Sequence, residues 1–448
     1  MLYRKVNHYI EEFYNTSKNA LLLTGARQTG KTYSARLLGE KFNNFLEINF
    51  IEHSHAVDIF KDVTSAEEIL LRLTALSSSP LVPGETLIFF DEVQKCDNLV
   101  TAIKFLVDDG RYRYILSGSL LGVELKDIKS EPVGYLGIKE MFPLDFEEFI
   151  VNMGVSENVI TNVRECWEQR KSVDPIVHDK LMQLFRLYLV TGGMPAAVAE
   201  YQKSNNVNIV MRVQQDIVDL YRKDISQYAE KDKLKIKEVF DLLPSELDAK
   251  NKRFILKNLN EHAKFDRYES CFLWLKDAGV AIPVYNVDEP KVPLKLSETR
   301  NLFKLFSNDV GLLAAQYADG IQLKILVGDS SINIGSVYEN VVAEELVAHG
   351  VNPYYYNNKR RGEVDFVISI GGKVMPIEVK SGKDYQRHTA LCNLMSDYPD
   401  SLYDPLVLCN GNVEIVGKIT YLPIYMVMFI KRQESNIGVY KIDLSGLQ

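Results

Sequence analysis

The chain has 448 residues, 46 % of them apolar and 25 % charged, and 52 Lys and Arg against 60 Asp and Glu leave a formal net charge of −8. These fractions exclude a collagen-like, wholly disordered or coiled-coil chain, and the length predicts about two to four domains, each burying its own core. The acidic balance argues against a surface that coats nucleic acid indiscriminately, without speaking to local basic patches.

The start, Met1-Leu2-Tyr3-Arg4-Lys5, leads into a mixed polar segment rather than an apolar core with a cleavage site, so the expected location is cytoplasmic. The apolar stretch Tyr421 to Ile430 is too short for a bilayer and contains Pro423; it reads as a buried strand, and no membrane partner is expected. Cys96, Cys166, Cys271, Cys392 and Cys409 are scattered without paired spacing and read as reduced thiols, and His53 with His55 reads as loop composition.

Asn19-Ala20-Leu21-Leu22-Leu23-Thr24 is a short apolar run that ends in Gly25-Ala26-Arg27-Gln28-Thr29-Gly30-Lys31-Thr32-Tyr33, followed by amphipathic Ala35-Arg36-Leu37-Leu38. The pattern is strand, glycine-bounded loop, helix. Glycines let the backbone wrap a phosphate chain, so that its amides and the helix N-terminus point at negative charge. Lys31 is expected to reach the β and γ phosphates and Thr32 to coordinate magnesium. Thr86-Leu87-Ile88-Phe89-Phe90-Asp91-Glu92 is apolar on both faces, as a strand covered by helices on each side would be, and ends in two carboxylates. Asp91 is expected to hold the magnesium, and Glu92 to orient or deprotonate the water attacking the γ-phosphate. Arg113-Tyr114-Ile115-Leu116 ends in Ser117-Gly118-Ser119, where Ser117 is the candidate to hydrogen-bond that water or the γ-phosphate. Phe45 to Phe50 and Lys139 to Leu144 supply further strands of a doubly wound sheet, whose ligands sit at the carboxyl ends of its strands.

GARQTGKT, LIFFDEVQK, YILSGS and FPLDFEEF together resemble the nucleotide-binding half of a broad prokaryotic family of AAA-type ATPases whose members carry an additional C-terminal domain. The resemblance continues in order through TGGMPAAV, KLFSNDVGLL, GSVYENVVAEEL and PIEVKSG, and so spans nearly the whole chain. It implies ATP and magnesium as cofactors. Many relatives place a basic residue after a glycine shortly before the FPLDFEEF segment, where this chain has Gly134-Tyr135; if that residue serves as an arginine finger in relatives, oligomer-dependent hydrolysis lacks it here. Self-association into a homo-oligomer is left open.

From Phe146 to about Tyr228 the pattern is helical and suits a lid over the nucleotide; Arg212, Arg222 and Lys223 receive no role. Helical segments around Ile236 to Leu243, Phe254 to Leu259 and Tyr268 to Leu275, followed by a hairpin, describe a winged-helix-like unit, with Lys250, Lys252, Arg253 and Lys257 as candidates for phosphate contacts if DNA is bound.

Near the end, two strand-like runs, Glu363 to Ile370 and Lys373 to Lys380, flank Gly371-Gly372. A two-residue turn places Asp365 opposite Glu378, a like-charge pair that is destabilising unless a divalent cation resolves it. Lys380 shares a face with Glu378. This D, E-x-K constellation is that of the PD-(D/E)xK nuclease fold, which the resemblance also implies, with Asp365 and Glu378 as metal ligands and Lys380 acting on the attacking water or the phosphate. Upstream, Glu339 lies on the apolar stripe of a helix and is the candidate third ligand, with Glu344 as fallback. Lys359-Arg360-Arg361 is a candidate phosphate contact.

The expected architecture is α/β: an AAA-type P-loop parallel sheet (1–150), a helical lid (151–228), a winged-helix-like unit (229–325) and a restriction-endonuclease-like α/β domain (326–448). The expected function is magnesium-dependent ATP hydrolysis coupled to a nuclease-like domain acting on DNA. The alternative is a nucleotide-controlled binding or signalling module whose nuclease-like domain recognises a partner without cleaving it.

Overall fold

The structure, a computed structural model, describes residues 1–119, 134–228, 232–249, 252–259, 261, 264–318, 320–329 and 334–432. Five parallel strands, β1 (Ala20–Thr24), β2 (Asn44–Asn49), β3 (Thr86–Asp91), β4 (Arg113–Ser117) and β5 (Leu136–Glu140), lie in the order β2-β3-β4-β1-β5. Side chains alternate across the strands, so each face needs its own cover. Leu21, Leu23, Leu87, Phe89 and Ile115 pack on helices α1 (Lys5–Thr16) and α2 (Lys31–Gly39). Leu22, Ile88, Phe90, Tyr114 and Leu116 pack on α3 (Ala66–Leu76) and α4 (Asp97–Asp109). The last strand of this sheet ends before Phe142-Pro143, earlier than the expected Lys139 to Leu144, because Pro143 has no N–H for the ladder.

The lid segment is helical: α5 (Phe146–Asn152), α6 (Glu157–Gln169), α7 (Pro175–Thr191), α8 (Pro195–Ser204) and α9 (Val207–Tyr228). Asp145 and Glu148 close a reciprocal capping box at the start of α5. In the middle unit, α10 (Lys233–Asp248) and α11 (Glu269–Asp277) form, but the expected helix Phe254 to Leu259 is only a 3-10 turn, Leu256–Asn258. Lys250 lies outside the described residues.

One sheet has strands on both sides of the expected boundary at 325/326. The hairpin β6 (Ala281–Val287) and β7 (Glu298–Ser307) is the edge of an eight-stranded sheet, continued by β8 (Tyr354–Asn358), β9 (Gly362–Ile370), β10 (Lys373–Val379), β11 (Leu406–Cys409), β12 (Glu414–Val416) and β13 (Ile419–Pro423), in the order β12-β13-β11-β10-β9-β8-β6-β7. Asn286 and Val287 pair with Tyr355 and Tyr356. A lone hairpin is marginal in water, and its apolar residues Val284, Phe303 and Leu305 need cover. They find it in one continuous core that runs from Phe146 and Tyr188 of the lid to Phe366 and Leu408. The hairpin is therefore a sheet edge rather than the wing of a separate unit. Helices α12 (Val310–Ala315), α13 (Ile321–Val327), α14 (Gly335–Ala348) and α15 (Thr389–Asp397) complete the fold. The apolar run after Tyr421 leaves β13 as a buried 3-10 segment, Ile424–Phe429, rather than continuing as a strand. Among the described residues no helix is long and apolar enough to cross a membrane.

Candidate functional site

The loop between β1 and α2 sits at the carboxyl end of the five-stranded sheet. The neighbours of β1 are β4 and β5 rather than β2, so the loop lies where strand order reverses, the position at which doubly wound sheets bind ligands. Gly25 has φ +121°, and a Cβ there would stand 2.2 Å from the Met141 carbonyl oxygen at the exit of β5, so the close approach admits only glycine. Gly30, also at positive φ, opens α2. Within the loop, Thr29 Oγ1 donates to the Ala26 carbonyl (2.9 Å). Lys31 Nζ donates to the carbonyls of Gly25 (3.0 Å) and Ala26 (2.7 Å), and burial pulls its ammonium down to about 8 against the pull of Glu92 and Asp91.

Thr32, at the start of α2, meets Asp91 at the tip of β3: the hydroxyl donates to the carboxylate at 3.2 Å. Asp91 is buried among donors. Asn49 Nδ2 reaches it at 3.1 Å from the paired position on β2, and Ser117 Oγ donates to its other oxygen. Burial raises the Asp91 carboxyl, and the bonds from Ser117 and Thr32 oppose that rise. The assignment of Ser117 to the water or γ-phosphate is thereby corrected: its hydroxyl is spent on Asp91. Ser119, one pleat further, is the serine that lines the loop cleft, and its hydroxyl lies 3.4 Å from Glu92 Oε2. Glu92 has φ +58°, a strained conformation for a non-glycine residue, and Gln94 Nε2 donates to its carboxylate at 2.5 Å. Lys31, Thr32, Tyr33, Glu92 and Ser119 line one cleft of about 790 Å³ roofed by Pro195 and Ala199 of α8.

Three other parts of the chain grip this loop. Arg4 donates to the Thr29 carbonyl (2.9 Å) and to the Phe142 carbonyl (2.7 Å), and pairs with Glu148 (3.2 Å). From α9, Tyr221 donates to the Arg27 carbonyl (3.2 Å) and Asp224 pairs with the Arg27 guanidinium (2.9 Å). Gly279, after α11, would place a Cβ 3.0 Å from the Ala26 amide nitrogen. Of the lid residues considered in sequence, Arg222 is paired with Asp219 (3.0 Å) and Asp241 (2.9 Å). Sequence reading missed Asn49, Arg4, Tyr221 and Asp224, and ranked Ser119 below Ser117. Of the missed residues only Asn49 carried a signal, being a polar residue at the end of an apolar strand.

The second candidate cluster lies at the junction of β7, α14, β9 and β10. Glu339, Asp365, Glu378 and Lys380 do come together, and three residues join them that the sequence did not flag in this role: Lys304, Lys252 and Glu363. Lys304 Nζ, with no exposed surface, lies 3.0 Å from Glu339, 2.7 Å from Glu363 and 3.9 Å from Asp365. Lys252 pairs with the other Glu339 oxygen, which takes it away from the phosphate contact expected of it. Lys380 Nζ pairs with Glu378 at 2.6 Å. The hairpin register is the expected one from Ile370 and Lys373 to Phe366 and Ile377; one step on, Asp365 accepts from the Val379 amide at 2.8 Å. Burial and the charges of Glu339 and Glu378 drive the Asp365 carboxyl well above the usual range, whereas Lys304 and Lys252 outweigh burial and hold Glu339 below it. A divalent ion needs oxygens at about 2.0–2.6 Å around one point. The Lys304 ammonium lies among Glu339, Glu363 and Asp365, Glu378 is paired with Lys380, and among the described residues no group of three or more acidic, His or Cys side chains is arranged to hold a metal. The residues present do not fit magnesium at Glu339, Asp365 and Glu378, which corrects that expectation. The fallback Glu344 faces elsewhere and accepts from Asn340 (3.4 Å).

A glycine-bounded loop ending in Lys-Thr at the switch point of a parallel sheet, with an aspartate on a neighbouring strand tip, is the nucleotide-binding arrangement of AAA-type P-loop ATPases. In agreement, residues 17–150 match the family model of an AAA domain. Residues 182–323 match a domain of unknown function (DUF8612) and residues 334–427 another (DUF4143). No curated protein matches the sequence. Among solved structures, the chain is similar to a Walker-type ATPase of Pyrococcus abyssi, at 15 % identity over 70 % of this chain and 96 % of that one, with a TM-score of 0.43. It is also similar to a RuvB variant of Thermotoga maritima (14 % identity, 63 % and 89 % covered, TM-score 0.29) and to the Orc1 protein of Aeropyrum pernix in complex with DNA (12 %, 74 % and 93 %, 0.25). Likeness of that degree assigns no activity or partner.

Proposed function

We propose that the chain is a magnesium-dependent ATPase whose nucleotide state controls a C-terminal unit that recognises a partner without cutting it. The observation that carries the first half is the meeting of Thr32 and Asp91 beneath the Gly25–Thr32 loop. Thr32 and Asp91 are the residues that would hold magnesium, and the ion would neutralise charge on the β and γ phosphates. Lys31, drawn onto loop carbonyls, is free to exchange those neutral acceptors for a phosphate, to which an ammonium binds more strongly. Glu92, in the same cleft, would orient or accept a proton from the attacking water, with Ser119 and Gln94 fixing its carboxylate. Asn49 and Ser117 are positioning residues: their hydrogen bonds hold the Asp91 carboxylate beside Thr32.

Control of the remainder rests on contiguity. Tyr221, which touches Arg27 in the loop, also accepts from Asn308 Nδ2 (3.3 Å). The next residue, Asp309, accepts from the Gly193 amide (2.6 Å) and caps α12 through Leu312 (2.8 Å). Asp145, beside the Arg4 anchor, accepts from His349, which caps the end of α14, at 3.2 Å. These bonds connect the loop to the eight-stranded sheet by two routes, so a lid movement on nucleotide exchange has fixed contacts through which to act.

For the C-terminal unit, the Lys304 ammonium amid the carboxylates favours recognition over cleavage. DNA is the proposed partner, met by Lys359 and Arg360 on the exposed turn between β8 and β9. The test incubates the protein with supercoiled, linear and branched DNA, with and without ATP and magnesium, and reads phosphate release and strand breaks in the same tubes. DNA-stimulated phosphate release without breaks is expected. Hydrolysis indifferent to every DNA would remove DNA as partner, and breaks lost in Asp365→Ala would restore the cleavage reading.

A further inference from the structure

The Lys304 side chain is the only lysine in this part of the sheet with no exposed surface, among the described residues. It rises from β7 into a pocket whose walls come from three elements: Glu339 on α14, Glu363 and Asp365 on β9, and the Tyr355 ring of β8, centred 5.3 Å from the ammonium. An isolated buried ammonium is prohibitively costly, and so is a group of buried carboxylates; each is tolerable only because of the other. Four carboxylates, those of Glu339, Glu363, Asp365 and Glu378, face three ammonium groups, those of Lys304, Lys252 and Lys380. Glu378 Oε2 is buried and accepts no hydrogen bond. The cluster therefore keeps an unused carboxylate oxygen, with one cation among the carboxylates already supplied by the chain.

We propose that Lys304 is a built-in cation that takes the place of a divalent metal ion in this carboxylate cluster, and that a neutral residue at 304 opens the cluster to one such ion. Lysine donates three hydrogen bonds from a point charge, so it satisfies the same oxygens a hard cation would, at hydrogen-bond rather than coordination distance. It cannot supply a metal-bound water or polarise a phosphate as a divalent ion does. The cluster holds β7, α14 and β9 together and leaves the unit independent of metal. Without the ammonium, Glu339, Glu363 and Asp365 lose their shared cation beside Glu378 and its spare oxygen, a set of hard oxygen donors that suits manganese or magnesium.

The experiment uses the full chain carrying Asp91→Asn, so that the nucleotide site contributes no metal binding, and measures manganese by equilibrium dialysis and by free-ion electron paramagnetic resonance. In that background, residue 304 as lysine should give no manganese binding that depends on Asp365. Lys304→Gln and Lys304→Ala should each bind one manganese ion at least a hundredfold more tightly, lose it on addition of Asp365→Asn, and show a melting temperature that falls without manganese and recovers with it. If neither variant is folded on purification, each is refolded with and without the ion, and recovery only with manganese is expected. Asp365-dependent binding while Lys304 is intact would overturn the proposal. So would folded variants that bind none, or variants that recover in neither condition.

Discussion

Gly193 supports the most severe single-atom perturbation. It lies in the TGGMPAAV segment between α7 and α8, where its carbonyl accepts from the Leu144 amide (2.7 Å) and its amide donates to Asp309 (2.6 Å). One residue thus ties the lid to the strand exit before α5 and to the segment after β7. An added Cβ would stand 2.0 Å from the Leu144 carbonyl oxygen and 2.7 Å from its nitrogen. Both are backbone atoms that no rotamer change can move, so Gly193→Ala must displace the strand exit by about an ångström. Overpacking costs about 1–3 kcal/mol. Losing the amide pair costs about 1 kcal/mol, and the charged bond to buried Asp309 about 1.5–3 kcal/mol. The total, roughly 3.5–7 kcal/mol, corresponds to a melting temperature lowered on the order of 10 °C for a unit of this size. Scanning calorimetry of the full chain would measure it, with Gly382→Ala as the control, because a Cβ at Gly382 meets nothing within 4 Å. That control should stay within about 0.5 kcal/mol of the parent. Equal melting temperatures for the two variants would refute the reasoning.

Glu92→Gln keeps the shape of the cleft and removes the base, so ATP should stay bound while turnover falls by about 10²–10⁴-fold; a quench-flow assay showing unimpaired turnover would remove Glu92 from the chemistry. Arg4→Met strips the Thr29 carbonyl of its guanidinium partner and should weaken ATP binding by about tenfold, read by titration calorimetry, with hydrolysis at saturation little changed. His349 sets a pH dependence. Burial pulls its pKa down, but the bond to Asp145 and the charge of Glu345 outweigh burial and raise it above the ordinary value. The folded state therefore binds this proton more tightly than the unfolded chain, whose histidine titrates near about 6.5. The stability it contributes is complete below that value and is lost as pH rises through the folded pKa. Urea midpoints should fall between pH 6 and pH 9, and His349→Gln should flatten that slope; parallel slopes would contradict the assignment.

The nucleotide cleft was readable because its determinants are local. A loop flanked by an apolar strand and a helix needs only contiguous residues, and β3 announces itself by being apolar on both faces up to Asp91. The hairpin register was equally local, fixed by a two-residue turn. What the sequence concealed depends on contacts distant along the chain. Lys304 meets Glu339 across 35 positions, and Lys252 meets it across 87. Lys304 also lies in a stretch, Phe303 to Ser307, that is buried throughout, so no alternation marks it as exceptional. A like-charge pair in a hairpin indicates that some cation is present; whether it is a metal or a lysine from another strand is decided only in three dimensions. Ser117 shows the same limit on a smaller scale, since a serine at a strand end can face the ligand or the residue beside it. The hairpin β6–β7 read as a wing because nothing in its own residues tells that β8, about seventy residues later, will pair with it.

The central claim is that main-chain amides between Gly25 and Thr32, with Thr32 and Asp91 beside them, hold a triphosphate and its magnesium ion. Titration of a fluorescent ATP analogue into the parent, Lys31→Ala and Asp91→Asn, each with magnesium and with chelator, addresses it most directly. The account predicts tight binding by the parent, binding by Lys31→Ala weakened by about a hundredfold or more, and an Asp91→Asn variant whose residual binding no longer responds to magnesium. Three indistinguishable isotherms, with and without the ion, would contradict it.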